Sequence, residues 1–285
     1  MYNAAYMRRF YDEYGEREWG RFERRPMDRV NFHIHKHYLE EFIRPGDIVL
    51  DIGAGPGRFT VELARLGATV YVGDLSPTQL ELNRQKVSEA GFEQAVTERE
   101  IMDIVDLSGI EDGRFDVVVC YGGPLSYVFD RAPDALSELL RVTKPGGYLL
   151  VSVMSLFGTL HCYLDGVVEM VERHGFQTGL EDVIATGNLS AEINDGHPMH
   201  LFRSTELLAL MAQQGAEIAA ASAANFLSLR QDTFLSTLSD TSELWDALLR
   251  AEVEACKQPG ALDAGTHMIA VGRRRATGNY RPEPR

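Results

Sequence analysis

Three glycines at alternate positions mark the stretch of this chain that is best suited to hold a ligand. They are Gly53, Gly55 and Gly57, and they follow an apolar run, residues 48–50, that leads into Asp51. Glycine permits positive φ and lets a ligand approach the backbone without a Cβ in the way. Helix-like sequence comes next, and free N–H groups at a helix start can meet a polar or anionic ligand. A purely structural turn is the alternative, so a binding role needs support from further residues.

Acidic residues stand where such a ligand would need hydrogen-bond acceptors. Asp74 closes the second predicted strand. It lies about 20 residues beyond the glycine turn, where a nucleoside ribose would find a carboxylate partner. Ser76 and Pro77 then predict a helix start, with serine as the N-cap and proline at the first position. The alternative role for Asp74 is a charge that stabilises the N-terminus of that helix.

The elements that position these residues alternate between strand and helix. Apolar, branched runs predict strands, and Pro-Gly and Asp-Gly turns separate them from helices of 10 to 15 residues. The predicted strands begin near residues 48, 68, 95, 115, 148, 216 and 267, and the clearest predicted helices cover residues 29–43, 132–142, 205–214 and 243–257. This rhythm is typical of an α/β protein with a parallel sheet.

Segments outside this rhythm predict additions to one domain at residues 45–272. Residues 1–44 are predicted to form an N-terminal helical lid, in which Tyr6, Phe10 and Tyr14 share one helix face. Packing of that aromatic face on the domain, without a lid function, is the alternative. A cap insertion is predicted at about residues 154–203. The basic tail, residues 273–285, is predicted to be disordered.

Composition excludes several classes of function. The 285 residues carry a formal charge of −14, which argues against a nucleic-acid partner because phosphate binding needs a basic face. No segment has the apolar length of a membrane span, and the three separated cysteines fit a reducing compartment. We expect a cytoplasmic protein. His33, His35 and His37 lack further ligands at metal spacing, so they are interpreted as surface or packing residues and no metal is expected.

The glycine turn resembles the first motif of the class I methyltransferases that use S-adenosylmethionine, over residues 49–57 with the sequence VLDIGAGPG. Further matching pieces come in the family's order at Asp74, at Asp103-Ile104, and at residues 115–118, 140–149, 202–207 and beyond Gly215. The resemblance implies a Rossmann-like, seven-stranded, mostly parallel sheet with helices on both faces and insertions after the fifth and sixth strands. It implies S-adenosylmethionine as cofactor and S-adenosylhomocysteine as product.

The resemblance also implies roles for individual residues. Asp74 would accept from both ribose hydroxyls and Asp103 from the adenine amino group, while Asp51 would orient the cofactor's amino group or the loop. The implied cofactor-binding set is Asp51, Gly53, Ala54, Gly55, Asp74, Leu75, Met102, Asp103, Ile104 and Cys120. The implied activity is transfer of a methyl group by in-line displacement to a small-molecule acceptor.

Two alternatives to a methyltransferase are weighed at this point. Nicotinamide-dependent oxidoreductases have the glycine motif G-x-G-x-x-G, but here the position of the third glycine is occupied by Arg58. A cofactor-binding regulator without chemistry would have less need of an enclosed pocket. The candidate acceptor contacts are Tyr11, Tyr14, Tyr127, His161, His197, His200 and Arg203. The sequence does not name the acceptor or a general base, and it leaves a homodimer open.

Overall fold

The predicted alternation builds a twisted sheet in the computed structural model, which describes residues 1–174, 179–191 and 196–276. The strands of the main sheet are β1 (Ile48–Ile52), β2 (Thr69–Asp74), β3 (Val96–Ile101), β4 (Phe115–Cys120), β5 (Thr143–Met154), β8 (Ala216–Ala223) and β9 (His267–Arg274). A small hairpin consists of β6 (Asn188–Leu189) and β7 (Met199–His200). Each main strand contains or adjoins a run predicted from the sequence.

Helices flank the sheet and fill the insertions. They are α1 (Ala4–Tyr14), α2 (Pro26–Phe42), α3 (Arg58–Arg65), α4 (Pro77–Glu89), α5 (Pro124–Tyr127), α6 (Ala132–Val142), α7 (Leu156–Cys162), α8 (Leu164–His174), α9 (Gly179–Thr186), α10 (Ser204–Gln213), α11 (Asp232–Leu235) and α12 (Glu243–Cys256). A 3₁₀ helix, Gly15–Glu23, joins α1 to α2. Among the described residues, none of these helices combines the length and apolarity needed to cross a membrane.

The strand order confirms the expected fold class. Within the described residues the main sheet has seven strands in the order β3-β2-β1-β4-β5-β9-β8. The pairs among β1 to β5 are parallel, and β9 runs antiparallel to both β5 and β8. The chain steps outward from β1 to β3 and then returns to place β4 beside β1. A crevice therefore opens beyond the carboxyl ends of β1 and β4, where open α/β sheets bind ligands.

Both faces of the sheet are buried, as a parallel sheet requires. Neighbouring residues of a strand point to opposite faces. Val118 packs on one face with Leu136 of α6 and Leu207 of α10, and Val117 packs on the other with Leu39 of α2 and Leu63 of α3. The two hydrophobic cores hold the strand ends in fixed positions, and these ends carry the candidate site.

The helix α2 belongs to the body of the domain, which changes the predicted boundary of the lid at residue 44. Ile34 and Leu39 of α2 are fully buried and pack with Val49 of β1. Their apolar side chains cover one face of the sheet, so α2 cannot move away without exposing the core. Phe22 anchors the 3₁₀ helix in the same core, so α1 is the N-terminal helix that lies outside it.

The insertions follow the predicted plan with local differences. The helix expected at residues 158–174 is broken at Tyr163, whose backbone (φ −118°, ψ 26°) is not helical. Segments α7 to β7 follow β5, and α11 and α12 follow β8. The tail was expected to be disordered from residue 273, but Arg273 and Arg274 continue β9 in register with β8. The rest of that prediction, residues 277–285, lies outside the described residues.

Candidate active site

A cavity lies beyond the carboxyl ends of β1 to β4, at the switch point of the sheet. The cavity has a volume of about 100 Å³ for the centres of water-sized molecules, and it is partly open to solvent. We call one side the strand-end wall; its residues follow β1, β2 and β3 and are Gly53, Ala54, Gly55, Asp74, Leu75, Met102, Asp103 and Ile104. We call the opposite side the helical wall; its residues are Tyr2, Met7, Tyr11, Glu18, Arg21 and Phe22.

The glycine turn brings backbone to the cavity surface. Gly53 has φ +67° and a Cβ there would overlap Pro124, while Gly55 has φ +54°. The Gly55 N–H donates to Oδ2 of Asp74 at 2.8 Å. The turn and the end of β2 therefore form one rigid unit, in which glycine is required at both positions.

Asp74 is the best-placed acceptor of the strand-end wall. Its Oδ1 accepts from the Ser76 N–H at 2.8 Å, in addition to the bond from Gly55. Burial raises the pKa of Asp74 to about 6, although these two backbone donors act to lower it. The carboxylate keeps unused lone pairs toward the cavity, because each oxygen can accept more than one hydrogen bond.

Asp103 closes the same wall after β3. Its Oδ2 accepts from the Tyr2 hydroxyl at 2.8 Å, and its Oδ1 accepts from the Val105 N–H at 3.1 Å. Buried Met102 and Ile104 flank it. Apolar side chains beside a carboxylate suit a flat ring that carries a polar edge.

Two implied cofactor residues lie beneath the cavity and do not line it. Asp51 is buried and accepts from the Thr60 hydroxyl at 2.6 Å; burial raises the pKa of Asp51 to about 7. Cys120 is fully buried, and burial raises the pKa of its thiol to about 12. Asp51 supports the turn through Thr60 of α3, and Cys120 packs in the core.

The helical wall is held by bonds between α1 and α4. Asp12 accepts from the Ser76 hydroxyl at 2.5 Å, and the Gln79 amide donates to the carbonyl oxygens of Tyr11 at 3.0 Å and Gly15 at 3.1 Å. These contacts lie directly beside Asp74. The cover is thus attached to the same helix start that follows the strand-end wall.

Arg21 places a cation at the cavity and was not predicted as a site residue. Its guanidinium pairs with Glu18 at 2.8 Å, and its Nη2 lies 3.0 Å from the position that a Cβ of Gly122 would take. The side chain is 23% exposed, and it is one of the cavity-lining residues. The cavity therefore has carboxylates on the strand-end wall and a guanidinium near the end of β4.

Of the seven candidate acceptor contacts, Tyr11 and Tyr127 line the cavity, with ring centroids 5.8 Å apart. His197 stacks on Tyr127 at 5.0 Å and on Phe10 at 4.1 Å, which places it behind these rings. Burial lowers the pKa of His197 to about 4. Tyr14 stacks on Phe10 at 5.8 Å and its hydroxyl accepts from Arg24.

The other three candidates do not reach the cavity. His161 is exposed, and its carbonyl oxygen accepts from Arg230. His200 lies between Asn188 and Glu206, at 2.7 Å from each. Arg203 donates to the carbonyl oxygen of Ile184 and begins α10. These residues join the insertion to the rest of the domain. Histidine and arginine are equally suited to binding a ligand, so the residue type alone could not show which of the two roles they have.

A group of buried polar side chains next to the cavity was missed by sequence reasoning. We call Asn31, His35, Tyr121 and His267 the His35 cluster. Asn31, His35 and Tyr121 are 3%, 1% and 2% exposed. The three histidines of α2 were interpreted as surface or packing residues, with His33 and His37 on one face and His35 on another. His35 is indeed a buried packing residue, but its neighbours Asn31, Tyr121 and His267 were not singled out.

The fold and the site together define a class of protein. The matching family is described as "Methyltransferase domain", and its model covers residues 49–147, from β1 through the turn before the main part of β5. That segment contains the glycine turn, Asp74 and Asp103. Residues 49–147 of this chain therefore match a methyltransferase domain, which supports the resemblance to the class I, S-adenosylmethionine-dependent methyltransferases.

Individual relatives agree with this class. Over 114 residues the chain is 31% identical to the ubiquinone biosynthesis O-methyltransferase of Xanthomonas campestris. The matched segment covers 39% of this chain and 44% of that protein. Over 112 residues it is 33% identical to the ubiquinone/menaquinone biosynthesis C-methyltransferase UbiE of Azotobacter vinelandii, covering 38% and 43% of the two chains. The chain thus spans less than half the length of these curated relatives.

Solved structures share the fold over a longer range. A chain from the complex between the Trm112 methyltransferase activator and a methyltransferase of Haloferax volcanii has a TM-score of 0.61 and 18% identity, covering 96% of this chain and 99% of that chain. An S-adenosylmethionine-dependent methyltransferase of Methanosarcina mazei has a TM-score of 0.57 and 20% identity, covering 84% and 97%. At these identities the likeness concerns the fold alone.

Proposed function

We propose that this protein transfers a methyl group from S-adenosylmethionine to a small-molecule acceptor. The observation that carries the proposal is Asp74, a buried carboxylate at the end of β2 that is joined to the Gly55 N–H at 2.8 Å and faces the cavity. A carboxylate held this way can accept from both hydroxyls of a ribose. The matched domain at residues 49–147 supports the same assignment.

The strand-end wall offers a place for each part of the nucleoside. The ribose would lie against Gly55 and Asp74, where no side chain intervenes. The adenine amino group would donate to Asp103, with Met102, Ile104 and Leu75 packing around the ring. Asp103 can still accept such a bond, since its two known donors leave lone pairs free.

The amino-acid end of the cofactor would lie nearer β4. Arg21 is a cavity-lining cation close to Gly122 at the end of β4, and a guanidinium binds carboxylates in a planar, two-bond geometry. Glu18 fixes the guanidinium from the other side at 2.8 Å. This arrangement supports Arg21 as the partner of the cofactor's carboxylate.

When bound, the cofactor supplies a methyl group that is already electrophilic on a sulfonium. The protein's task is then to hold the acceptor close and in line, which can supply roughly 7–11 kcal/mol of the barrier. The helical wall covers the reacting groups and excludes water. Tyr11 and Tyr127 border the remaining space on the acceptor side.

Several features favour a small acceptor. Side chains from residues 2–22 cover one side of the cavity, which leaves little room for a folded macromolecule. The formal charge of −14 disfavours nucleic acid. The two relatives named above carry names from quinone biosynthesis. These names support a small organic acceptor.

Calorimetry tests the cofactor assignment. S-adenosylhomocysteine should bind with one site per chain, and NADH should neither bind nor compete. Methyl transfer from labelled S-adenosylmethionine to a panel of small molecules then separates an enzyme from a binding regulator. Binding of NADH without binding of S-adenosylhomocysteine would contradict the proposal and return the oxidoreductase alternative.

A further inference from the structure

His197 was expected to contact the acceptor, but the structure gives it another position. It lies between β6 and β7, in the insertion after β5 that runs from α7 to β7. Of the described residues, those that line the cavity all lie outside this insertion. Any effect of the insertion on the cavity must therefore pass through the residues that it holds.

A third hydrophobic core joins the insertion to α1. Met7 of α1 packs there with Leu160 of α7, Val183 of α9 and Leu201, which follows β7. Met7 is 4% exposed and is also one of the cavity-lining residues. The helix that covers one side of the cavity is thus packed on the insertion, apart from the two cores that hold the sheet.

The ring of His197 links α1 to α5. Its centroid lies 4.1 Å from that of Phe10 and 5.0 Å from that of Tyr127, and the ring planes differ by 24° and 20°. Two rings stacked on one imidazole occupy its two faces. The neighbouring residue, Gly196, accepts a hydrogen bond from the Tyr6 hydroxyl at its carbonyl oxygen. We call Phe10, His197 and Tyr127 the aromatic latch.

The state of the imidazole suits this stacking. Burial lowers the pKa of His197 to about 4, so the ring is neutral at pH 7 and presents two flat aromatic faces. Stacked aromatic pairs are stabilising beyond the area that they bury, and two such pairs favour the joined state by at least about fivefold. The insertion thereby holds α1 from the side that faces away from the strand-end wall.

The latch should change ligand exchange without changing affinity. Phe10, His197 and Tyr127 do not belong to the strand-end wall. Their stacking therefore stabilises the closed position of α1 to the same extent with the cofactor site filled or empty. A contact that does not distinguish these two states cancels from the binding equilibrium. It still slows entry and release, because both need α1 to open.

We propose that the insertion after β5 holds α1 closed over the cavity, that His197 is the positioning residue of the aromatic latch, and that opening of this latch limits exchange of the cofactor and its product. The identity of that ligand rests on the proposed methyltransferase function. The insertion thus has a task other than binding the acceptor. Opening of a cover limits turnover in many enzymes, so the latch is placed to set the rate of the cycle.

Stopped-flow measurement of S-adenosylhomocysteine binding tests the latch. His197→Ala removes both stacked pairs, so the rate constants of association and release should each rise at least about fivefold, with the affinity constant within about twofold. His197→Phe keeps two flat faces and should stay near the unaltered rates. His161→Ala is the matched control, an exposed histidine of the same insertion, and should change neither rate.

A double-mutant cycle shows whether Phe10 and His197 act together. Phe10→Ala should also speed both steps. The two substitutions combined should speed them by much less than the product of the single effects, because both remove the same stacked pair. Melting temperature shows whether each variant folds. If His197→Ala does not fold, His197→Leu takes its place, since leucine keeps apolar volume but has no flat ring.

Hydrogen exchange on the ligand-free protein separates the latch from the proposed function. The backbone N–H groups of α1 should exchange at least about fivefold faster in His197→Ala, and those of α3 should not change. Three results overturn the inference: unchanged exchange of α1 with unchanged binding rates, faster release without faster association, or equal behaviour of His197→Phe and His197→Ala. If S-adenosylhomocysteine does not bind the unaltered protein, the proposed function is contradicted, and the exchange of α1 alone decides on the latch.

Discussion

On the strand-end wall, Asp74 and Asp103 each receive two hydrogen bonds of 2.8 to 3.1 Å, whereas across the cavity His35 and Tyr121 keep polar atoms without partners among the described residues. Three of the four donors to the carboxylates are backbone N–H groups at strand ends and turns. The His35 cluster is assembled from side chains of α2, the end of β4 and the start of β9.

This difference separates a preorganised region from one that is packed in the core. A wall whose acceptors are fixed by backbone is already in its binding geometry, which suits a cofactor that is always the same. Variants of the strand-end wall should therefore lose most of the cofactor affinity, and variants of the helical wall should change it less.

Gly55→Val should have the largest effect. The new side chain would need φ near +54° and would point from the strand-end wall toward Glu18, whose Cγ lies 3.8 Å from the Cβ position. Calorimetry should detect no binding of S-adenosylhomocysteine. Gly91→Val is the control, because it has φ +81° with no neighbouring atoms within 4 Å and lies away from the cavity. Equal loss of binding in both variants would show a folding defect.

Asp74→Ala should weaken the affinity for S-adenosylhomocysteine by at least about tenfold. Two ribose hydroxyls would lose their acceptor, at a cost of roughly 1–3 kcal/mol. The control is Asp116→Ala, which lies near the amino end of β4, at the opposite end of the strands from the cavity. Its carboxylate pairs with Lys144 at 2.6 Å. An unchanged affinity in Asp74→Ala, together with unchanged melting, would contradict the ribose role.

The same carboxylate predicts a pH dependence of binding. Hydroxyl donors bind the ionised form, and the pKa of Asp74 is raised to about 6 in the free protein. Affinity should therefore fall by about tenfold between pH 7.5 and pH 5, and Asp74→Ala should flatten the profile. The free energy of unfolding should change in the opposite direction. Because the pKa of Asp74 is higher in the folded protein than in the unfolded chain, the carboxyl group stabilises the folded state at low pH, and this contribution is lost as pH rises through 6. Calorimetry and thermal melting across this range measure both.

Removal of residues 1–14 should speed the release of the bound cofactor product more than it changes the structure of the strand-end wall. The deletion takes away α1 but spares Phe22, which is buried in the core. Release of S-adenosylhomocysteine should become several-fold faster by stopped-flow, and turnover should fall because water enters. Asp12→Ala, which removes the bond to Ser76, should give an intermediate rate. Identical release rates, without protection of α1 from protease on binding, would leave α1 as a packing element.

Tyr2→Phe should give the smallest effect, about two- to tenfold weaker binding. It removes the one hydrogen bond that joins the helical wall to Asp103, and a single such bond contributes about 0.5–1.5 kcal/mol. Tyr6→Phe, in α1 four residues further on, removes a bond to Gly196 and should leave cofactor affinity unchanged. Equal effects of the two substitutions would indicate a general loosening of α1.

The parts of the molecule that the sequence predicted are those with local signals. Glycines at alternate positions need a particular backbone, and an apolar branched run needs two buried faces, so the turn at Gly53 and the strands were placed correctly. Asp74 was singled out because it ends a strand, and Asp103 was implied by the resemblance to the methyltransferase family. Their positions in the cavity agree with the implied roles, which the binding experiments above would test.

The parts that were not predicted depend on distant segments. Asn31, Tyr121 and His267 meet His35 only because α2 crosses the sheet and β9 begins where β5 ends. No spacing along the chain indicates such a meeting. His200 and Arg203 were chosen as acceptor contacts because their residue types suit ligand binding. In the structure they form hydrogen bonds that hold the insertion after β5 in place. The chemistry of a side chain does not separate ligand binding from such a structural role when its position in the fold is unknown.

The docking of α1 has a consequence for the order in which the protein forms. The helix leaves the ribosome early, but its partners come much later: Tyr2 bonds to Asp103, and Tyr6 bonds to Gly196, 190 residues further along the chain. At roughly 5–20 residues per second, the aromatic face of α1 waits about 10–40 s for its last partner. During synthesis α1 therefore lacks this partner until β1 to β5 and the segment up to Gly196 have been made, while β8 and β9 are still to come.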